Sequence, residues 1–277
     1  MTLQMLLKRG RETLRAAQIA EWELDAWYLL EYAAGCTRSA YLLDPQLEAD
    51  SSQIQHYEEL IQKRSLHIPL QHLTGSQEFM GLSFIVDENV LIPRQDTEIL
   101  VEEVQKHMKS GMRILDMCTG SGCILLSILK LGQELTGTGV DLSGAALMVA
   151  ERNKERLGAA GAEFIRSDLF TDVTGVYDRI VSNPPYIPSR VVDTLMPEVR
   201  EHEPRMALDG TEDGLYFYRK IIEQSPAYLS PGGMLFFEIG YDQAEAVSGL
   251  MDRDFTRIQV VKDLAGLDRV VYGTLRS

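Results

Sequence analysis

The chain has 277 residues, a formal net charge of −14, and apolar and charged fractions of 45% and 25%, which are ordinary for a globular protein. Its length favours one large domain with a smaller one. The acidic balance counts against a nucleic-acid ligand, because proteins that bind a nucleic-acid backbone usually carry a basic face. No stretch reaches the ~20 apolar residues of a membrane span. We therefore expect a cytoplasmic protein.

The cysteines and histidines match no familiar framework. Cys36, Cys118 and Cys123 are odd in number and fit neither a disulfide pattern nor a zinc site, and the five histidines are scattered along the chain. We therefore expect reduced thiols and a site without a metal.

Residues 1–72 are predicted to form a small helical domain. Apolar residues repeat there at helical spacing in three stretches, and either Ser51 or Ser52 is predicted to cap the third helix. Trp22 and Trp27 fall on a helix face, where large aromatic residues belong to the core more often than to a ligand site. We expect both tryptophans in the core.

Residues 73–93 are predicted to form a β-hairpin linker, with strands on either side of Met80-Gly81. A helix capped by Asp96 or Thr97 follows, and it is expected to end near Gly111. The hairpin would connect the helical domain to the rest of the chain, residues 94–277.

Residues 94–277 show the alternation of an α/β domain. A strand, a glycine loop, a helix, a second strand and a second helix follow one another between residues 112 and 157, as in a nucleotide-binding parallel sheet. Further strands are predicted at 163–165, 177–181, 234–239, 256–261 and 269–274, and further helices at 214–228 and 243–250. The last two strands have no helix between them, so they are expected to be antiparallel. The result is a Rossmann-like sheet of seven strands.

The glycine loop after the first strand predicts a small-molecule pocket. Gly120 and Gly122 allow close backbone approach, and the helix start offers free N–H groups. The loop lacks the third glycine of a dinucleotide fingerprint, and no Lys-Ser/Thr pair follows for a triphosphate. Asp116 before the loop favours a cationic group, such as a sulfonium, in the pocket.

Two more aspartates end the next strands. Asp141 is placed to accept hydrogen bonds from both hydroxyls of a ribose, and Asp168 is placed to accept from an adenine amino group while Leu169 and Phe170 pack on the ring. Strand ends are common sites for aspartate, but three in succession beside a glycine loop resemble the class I methyltransferases that bind S-adenosylmethionine. The predicted cofactor-binding residues are Asp116, Cys118, Thr119, Gly120, Ser121, Gly122, Asp141, Leu142, Asp168, Leu169 and Asn183.

The fourth strand ends in the motif Asn183-Pro184-Pro185-Tyr186. Two prolines end a strand and fix their own φ, so the Asn183 side chain is held outward as a hydrogen-bond acceptor beside an aromatic ring. Taken alone, the motif is equally consistent with a sharp exit from the sheet. At the end of this strand it resembles methyltransferases that modify a nitrogen conjugated to a planar system, either a base amine or a glutamine amide.

Residues 69–75, 91–98 and 203–210 narrow the resemblance to the peptide chain release factor glutamine methyltransferases, known as PrmC or HemK. The similarity covers nearly the whole chain. It implies S-adenosylmethionine as cofactor, residues 1–72 as the substrate-recognition domain, and the glutamine of the Gly-Gly-Gln loop of bacterial release factors as substrate. The partners are then release factors, with no direct nucleic-acid or membrane partner, and we expect a monomer.

The resemblance assigns the substrate site to Asn183, Pro184, Pro185 and Tyr186, with catalytic roles for Asn183, Pro184 and Tyr186. The Asn183 side-chain oxygen and the Pro184 carbonyl are expected to accept the two N–H bonds of the substrate amide. Tyr186 is expected to pack on the amide plane and exclude water.

Three residues depart from the family pattern. Gln95 stands where proline is usual, Cys118 replaces the first glycine of the cofactor loop, and Leu169 lies where some relatives have tryptophan. Arg94 is left with two interpretations, an ion pair with Glu98 or a substrate contact.

Three other functions compete with this interpretation. An exocyclic-amine methyltransferase acting on DNA or RNA bases would fit the same acceptor pair, but the acidic balance counts against it. A protein that binds the cofactor without catalysis conflicts with the intact Asn-Pro-Pro-Tyr motif, and a dehydrogenase conflicts with the glycine spacing.

Overall fold

The structure is a computed structural model that describes residues 1–276. The chain divides into two compact units, described separately here. The helical unit contains Met1–Gly75 and Met196–His202, and the sheet unit contains Ser76–Leu195 and the residues from Glu203 onward. The predicted hairpin thus belongs to the sheet unit, whereas the short segment 196–202 belongs to the helical unit.

The helices of the described chain are α1 (Leu3–Ala16), α2 (Trp22–Ala34), α3 (Arg38–Leu43), α4 (Ser51–Ser65), α5 (Leu70–Thr74), α6 (Gln95–Lys106), α7 (Cys123–Leu131), α8 (Gly144–Leu157), α9 (Ser189–Val192), α10 (Pro197–His202), α11 (Tyr216–Gln224) and α12 (Ala244–Met251). The strands are β1 (Ser76–Phe79), β2 (Leu82–Ile85), β3 (Arg113–Met117), β4 (Thr136–Asp141), β5 (Ala162–Arg166), β6 (Tyr177–Ser182), β7 (Leu229–Glu238), β8 (Phe255–Lys262) and β9 (Asp268–Leu275). Within residues 1–276, no helix is long and apolar enough to cross a membrane.

The helical unit packs around an apolar core formed mainly by α1, α2 and α4. Trp27 is buried in this core and Trp22 packs against it, which confirms the prediction for both residues. The predicted serine caps of α4 are wrong. Asp50 is the N-cap, and its carboxylate accepts from the backbone N–H groups of Ser52 and Gln53. A carboxylate at this position also interacts favourably with the helix dipole.

A buried arginine ties the segment 196–202 into the helical unit. The Arg64 guanidinium donates to the Asp25 carboxylate at 2.8 Å and to the Glu198 carboxylate at 2.6 Å. Burial raises the pKa of Asp25, and the neighbouring Arg64 opposes that shift. Removing one partner from such a buried cluster would leave uncompensated charge, so Arg64 is a structural centre of this unit.

The sheet unit contains the seven predicted strands in the order β5-β4-β3-β6-β7-β9-β8, with β1 and β2 forming a separate hairpin. Strands β3 to β7 are parallel, and β9 pairs antiparallel with both β7 and β8, as predicted for the closing pair. The chain leaves β3 in one direction for β4 and β5 and returns to its other side for β6 and β7. The carboxyl ends of β3 and β6 therefore form the crevice in which such sheets bind ligands.

Apolar layers cover both faces of the sheet. Ile180 and Leu235 belong to a core with Tyr218 of α11, whereas Val181 and Phe236 belong to a second core with helices α6 and α7. Alternate residues of each strand thus face opposite layers, as expected for parallel strands buried on both sides.

The start of α6 differs from the prediction in a way that matters for the site. The helix begins at Gln95, Arg94 occupies the N-cap position, and no side chain caps the helix, so the predicted caps at Asp96 and Thr97 are wrong. Thr97 lies in the first helical turn and is only 2% exposed. Its hydroxyl is consequently available to a partner outside the helix.

Candidate active site

A cavity of about 290 Å³ lies at the carboxyl ends of β3, β4, β5 and β6. Most of the predicted site residues line it. Those residues are Cys118, Thr119, Gly120, Ser121, Asp141, Leu142, Asp168, Leu169, Asn183 and Pro185. The structure therefore brings the glycine loop, two of the three aspartates and the Asn-Pro-Pro-Tyr motif to one place.

The glycine loop curls through left-handed backbone conformations. Gly120 has φ of 55° and Gly122 has φ of 78°. A Cβ atom on Gly122 would also lie 3.1 Å from side-chain atoms of Leu126 and Phe164, so glycine is needed there for both reasons. Although it does not line the cavity, Gly122 supports the loop by letting α7 start close to the sheet.

Asp141 at the end of β4 is held by backbone donors. The N–H of Gly120 donates to Oδ2 at 2.9 Å, and the N–H of Ser143 donates to Oδ1 at 2.9 Å. Burial raises the pKa of Asp141, and these backbone hydrogen bonds oppose the shift. Each carboxylate oxygen keeps a lone pair for a ligand hydroxyl, so the geometry is consistent with the predicted ribose contact.

The structure corrects the expected position of Asp116. Its side chain is 0% exposed and does not line the cavity. The Thr119 hydroxyl donates to Asp116 Oδ2 at 2.6 Å, and the Leu125 N–H donates to the same oxygen at 3.3 Å. Burial raises the pKa of Asp116 to about 7. Asp116 therefore braces the loop and the start of α7 from beneath.

The exposed Asp168 and the half-buried Leu169 line the cavity after β5, whereas Phe170 is buried in the core and does not line it, contrary to the prediction. Leu169 has φ of 48°, and its carbonyl accepts a hydrogen bond from the Ser167 hydroxyl at 2.8 Å. Leu142, after β4, is half exposed and lines the same cavity. The two leucines can flank a flat apolar group, with the Asp168 carboxylate at its edge.

The strand tip holds Asn183 in a defined orientation. The Ser182 hydroxyl donates to the Met117 carbonyl at 2.6 Å and so ties the end of β6 to β3. The Asn183 side-chain nitrogen Nδ2 donates to the Thr97 hydroxyl oxygen at 3.4 Å. Because Nδ2 is engaged on that side, the side-chain oxygen Oδ1 is the atom of Asn183 left to accept from a ligand.

Tyr186 and Pro184 are placed differently from the prediction. Neither lines the cavity, and Tyr186 packs against the core on one face of the sheet. The Tyr186 hydroxyl donates to Glu238 Oε1 at 3.3 Å, and its carbonyl accepts from the Gln243 side-chain amide at 3.1 Å. Burial raises the pKa of Tyr186 well above its usual range. In this conformation Tyr186 anchors the motif instead of covering a ligand.

Several residues that line the cavity had no site role predicted from the sequence, whereas Arg94 was considered as a substrate contact. Arg94 and Thr97 line the cavity. Four residues of the segment between α10 and α11 also line it, namely Pro204, Met206, Ala207 and Asp209. Arg94 pairs with the buried Glu203 carboxylate at 2.5 Å, whereas Glu98 accepts from the Met80 N–H, so the ion pair between Arg94 and Glu98 is not formed.

Comparisons with known proteins match both units. The PrmC N-terminal domain family matches residues 5–75, and the methyltransferase small domain family matches residues 94–199. A release factor glutamine methyltransferase of Caulobacter vibrioides is 41% identical over 99% of this chain and 96% of its own length. One of Geobacter sulfurreducens is 40% identical over 99% of this chain and 97% of its own length.

Solved structures share the fold of the sheet unit. The catalytic domain of hMettl16, solved with an RNA hairpin, matches with a TM-score of 0.58 and 16% identity over 79% of this chain and 83% of that one. The Thermus thermophilus 16S rRNA N2 G1207 methyltransferase, solved with AdoMet and guanosine, matches with a TM-score of 0.51 and 19% identity over 73% of this chain and 50% of that one. At these identities the likeness concerns the fold alone.

Proposed function

Because this chain belongs to the family of release factor glutamine methyltransferases, we propose that it methylates the side-chain amide nitrogen of the glutamine in the Gly-Gly-Gln loop of bacterial release factors. The methyl donor is S-adenosylmethionine. The observation that carries the proposal is the orientation of Asn183, whose Nδ2 donates to Thr97 and whose Oδ1 is left as an acceptor beside the cavity.

The residues around the cavity fit S-adenosylmethionine. Asp141, with one backbone donor on each oxygen, offers remaining lone pairs to the ribose hydroxyls. Leu142 and Leu169 supply the apolar contacts for the adenine, and Asp168 supplies an acceptor for its amino group. The carboxylates of Asp141 and Asp168, which line the cavity, also suit a cation better than a phosphate. Asp116 does not contact the cofactor in this proposal, and it holds Thr119, which lines the cavity, by a hydrogen bond.

Asn183, which lines the cavity, is proposed to hold the substrate amide together with the backbone carbonyl of the next residue, Pro184, whose buried ring does not line the cavity. An amide nitrogen is a poor nucleophile because its lone pair is delocalised into the carbonyl group. Acceptance of both N–H bonds, by Asn183 Oδ1 and the Pro184 carbonyl, would fix the nitrogen with its lone pair facing the methyl donor. Proline has no N–H of its own, so Pro184 and Pro185 present no competing backbone donor there.

The reaction is a displacement at carbon. S-adenosylmethionine held by Asp141, Asp168 and the flanking leucines would supply an electrophilic methyl group, whose bond to sulfur would break, with its electron pair going to sulfur, as the bond to the amide nitrogen formed. The amide nitrogen loses one proton, which its hydrogen-bond acceptors pass to water. The chain's own contribution is alignment of the amide nitrogen with the methyl donor, an effect worth up to ~7–11 kcal/mol in favourable intramolecular reactions.

The helical unit is proposed to recognise the release factor, as expected for residues 1–72, within a monomeric cytoplasmic enzyme. The acidic balance of the chain, −14, supports a protein substrate over a nucleic-acid backbone. Methylation of a base amine would use the same two acceptors. Only the identity of the methylated substrate therefore distinguishes that activity from glutamine methylation.

One experiment tests the proposed function. The protein is incubated with methyl-labelled S-adenosylmethionine and, in parallel, with a bacterial release factor, DNA and ribosomal RNA. We expect label on the release factor, and none on a release factor whose loop glutamine is replaced by alanine. Label on nucleic acid alone would overturn the proposal in favour of a base methyltransferase.

A further inference from the structure

One buried amide side chain joins the glycine loop to the β1–β2 hairpin. We propose that Asn153 of α8 is a positioning residue for cofactor binding, which holds the glycine loop and the segment 86–94 at a fixed separation and so keeps the cavity open before the cofactor enters. The inference rests on the proposed function, because it takes S-adenosylmethionine as the cofactor. Asn153 does not line the cavity, and in this role it contacts neither cofactor nor substrate.

Asn153 is completely buried and bonds to backbone groups of two distant segments. Its side chain is 0% exposed. The side-chain oxygen Oδ1 accepts from the Ile85 N–H at 2.6 Å, and the nitrogen Nδ2 donates to the Ile85 carbonyl at 3.0 Å. The same nitrogen donates to the Ser121 carbonyl at 3.0 Å. Both N–H donors of the amide are thereby used, one on each segment.

These three partners leave the Asn153 amide one orientation. A flipped amide would place Oδ1 against the carbonyls of Ile85 and Ser121 and Nδ2 against the Ile85 N–H, so every contact would be repulsive. A rotated side chain would leave buried backbone groups without partners, which is costly in a protein interior. The distance between the loop and the end of the hairpin is therefore fixed by one side chain.

On one side, Asn153 fixes a single peptide group of the glycine loop. The carbonyl of that peptide group belongs to Ser121, and its N–H belongs to Gly122 and donates to the Thr119 carbonyl at 2.9 Å. Thr119 and Ser121 line the cavity. Gly122 lies so close to α8 that an added Cβ would be 3.3 Å from the Cβ of Ala150. The loop is thus held against α8 where the cofactor is proposed to bind.

On the other side, Asn153 fixes the chain as it leaves the hairpin. Ile85 is the last residue of β2, and its N–H and carbonyl both bond to Asn153, as they would to a neighbouring strand. Val86 and Val90 then pack against apolar residues of α8. Five residues of the segment 86–94 line the cavity, namely Asn89, Val90, Leu91, Pro93 and Arg94. Helix α8 therefore supports both the glycine loop and this second part of the cavity lining.

A fixed separation favours cofactor binding, because a site that is already formed needs no ordering when the ligand enters. Loss of the Asn153 bonds should weaken the affinity for S-adenosylmethionine, whereas saturating cofactor should restore the geometry around Asn183 and hence the turnover. A purely structural role would not show this selectivity. The affinity of fully folded protein for a ligand does not depend on its free energy of unfolding.

The test compares wild type with Asn153→Asp, which keeps the size of the side chain but loses both donors, and with Asn153→Ala, at a temperature where all proteins are folded. Calorimetric titration is expected to show a dissociation constant for S-adenosylmethionine raised about 10-fold or more in both variants. With a release factor as methyl acceptor, KM for the cofactor should rise similarly while kcat stays within about threefold of wild type.

The matched control is Gln105→Glu. Gln105 also donates a side-chain N–H to a backbone carbonyl of the sheet unit, that of Ile128 at 2.9 Å, but neither residue lines the cavity. The substitution therefore removes the same kind of hydrogen bond elsewhere. Its dissociation constant for S-adenosylmethionine is expected to stay within about twofold of wild type.

Hydrogen exchange tests the connection in wild type itself. Ile85 does not line the cavity, yet its N–H is bonded to Asn153, which is bonded to the glycine loop. Saturating S-adenosylmethionine should therefore slow exchange of the Ile85 amide, measured by NMR, because stabilising one end of the connection stabilises the other. The slowing is expected to be absent in Asn153→Ala.

The outcomes distinguish this inference from the proposed function. If both Asn153 variants bind S-adenosylmethionine as tightly as Gln105→Glu does, or if they lose kcat at saturating cofactor with unchanged affinity, the positioning role is overturned. If neither variant folds, exchange of the Ile85 amide in wild type decides, and a rate that ignores the cofactor overturns the role. If wild type binds S-adenosylmethionine but does not methylate the release factor, the proposed function fails, while the affinities and exchange rates still decide the role of Asn153.

Discussion

The side-chain nitrogen of Asn183 lies 3.4 Å from the hydroxyl oxygen of Thr97, a residue 86 positions earlier in the chain. The first turn of α6 thereby engages Nδ2 and leaves Oδ1 as the atom of Asn183 for the proposed substrate contact. The sequence predicted that Thr97 could cap this helix. In the structure the Thr97 hydroxyl caps nothing and instead accepts from the Asn183 amide.

Replacement of Asn183 by alanine removes the proposed acceptor for one substrate N–H bond. We expect Asn183→Ala to lower kcat by about 100-fold or more, as for loss of a preorganised polar group at a reacting centre, with cofactor affinity nearly unchanged. Steady-state kinetics with saturating release factor and calorimetric titration of S-adenosylmethionine measure the two effects. Turnover close to wild type would remove Asn183 from the mechanism.

Replacement of Asp141 by alanine removes the acceptor proposed for the ribose. The dissociation constant of S-adenosylmethionine should rise about 10-fold or more, because hydrogen bonds to a charged group contribute about 1.5–3 kcal/mol each. Asp242→Ala removes an exposed aspartate outside the cavity lining and serves as control. Equal affinities for the two variants would show that Asp141 does not hold the ribose.

Cys118, which the sequence resemblance places at a glycine position of the family, adopts a left-handed conformation with φ of 63°. A non-glycine residue in this region is strained by on the order of 1 kcal/mol, so Cys118→Gly is expected to raise the free energy of unfolding by up to about that amount. Cys118→Ala keeps the strained backbone and removes the thiol, so it should give no such gain. Chemical denaturation of the three proteins checks this, and equal gains from both substitutions would disprove strain as the cause.

The buried Asp116 links stability to pH. Its folded-state pKa, raised to about 7 by burial, lies above the ordinary value near 3.8. The folded protein therefore binds a proton that the unfolded chain releases, so this contribution to stability is fully present below about pH 4 and is lost as pH rises to about 7. Wild type should lose stability relative to Asp116→Asn over that range, by at most roughly 4 kcal/mol. A constant difference between the two unfolding free energies from pH 4 to pH 8 would contradict this assignment.

The helical unit depends on Arg64. Because Arg64 is buried between Asp25 and Glu198, Arg64→Ala should lower the free energy of unfolding by about 3–5 kcal/mol. Arg9 forms an exposed ion pair with Glu58, and Arg9→Ala should change it by less than about 1 kcal/mol. Thermal or denaturant unfolding measures both, and similar losses would mean that burial of the Arg64 cluster does not stabilise the unit.

Most of the fold was predictable from the periodicity of apolar residues and from the residues that end each strand. The alternation of apolar strands and helices was enough to predict seven strands with an antiparallel closing pair, because each strand is bounded by strong turn residues. The caps at Asp50 and Arg94 were missed, since several neighbouring polar residues compete for one position and tertiary contacts decide between them. The short helices α9 and α10 were not predicted, because a helix of four to six residues is too short to show the helical repeat of apolar residues.

The site was predictable where local sequence determines it. The glycine loop and Asp141 follow directly from strand and loop patterns. Asp116 and Tyr186 were misplaced because the depth of a side chain beneath a loop is set by packing that spacing does not encode. The hydrogen bond from Asn183 to Thr97 joins two distant segments, and only the folded chain brings them together.

The most direct test of the account is the location of the methyl group. The protein is incubated with S-adenosylmethionine and an unmodified bacterial release factor, and the peptide containing the Gly-Gly-Gln loop is sequenced by tandem mass spectrometry. The account predicts one added methyl group on the glutamine side-chain nitrogen with wild type, and an unmodified glutamine when Asn183→Ala is used for the same time. An unmodified glutamine after prolonged incubation with folded, cofactor-bound wild type would contradict it.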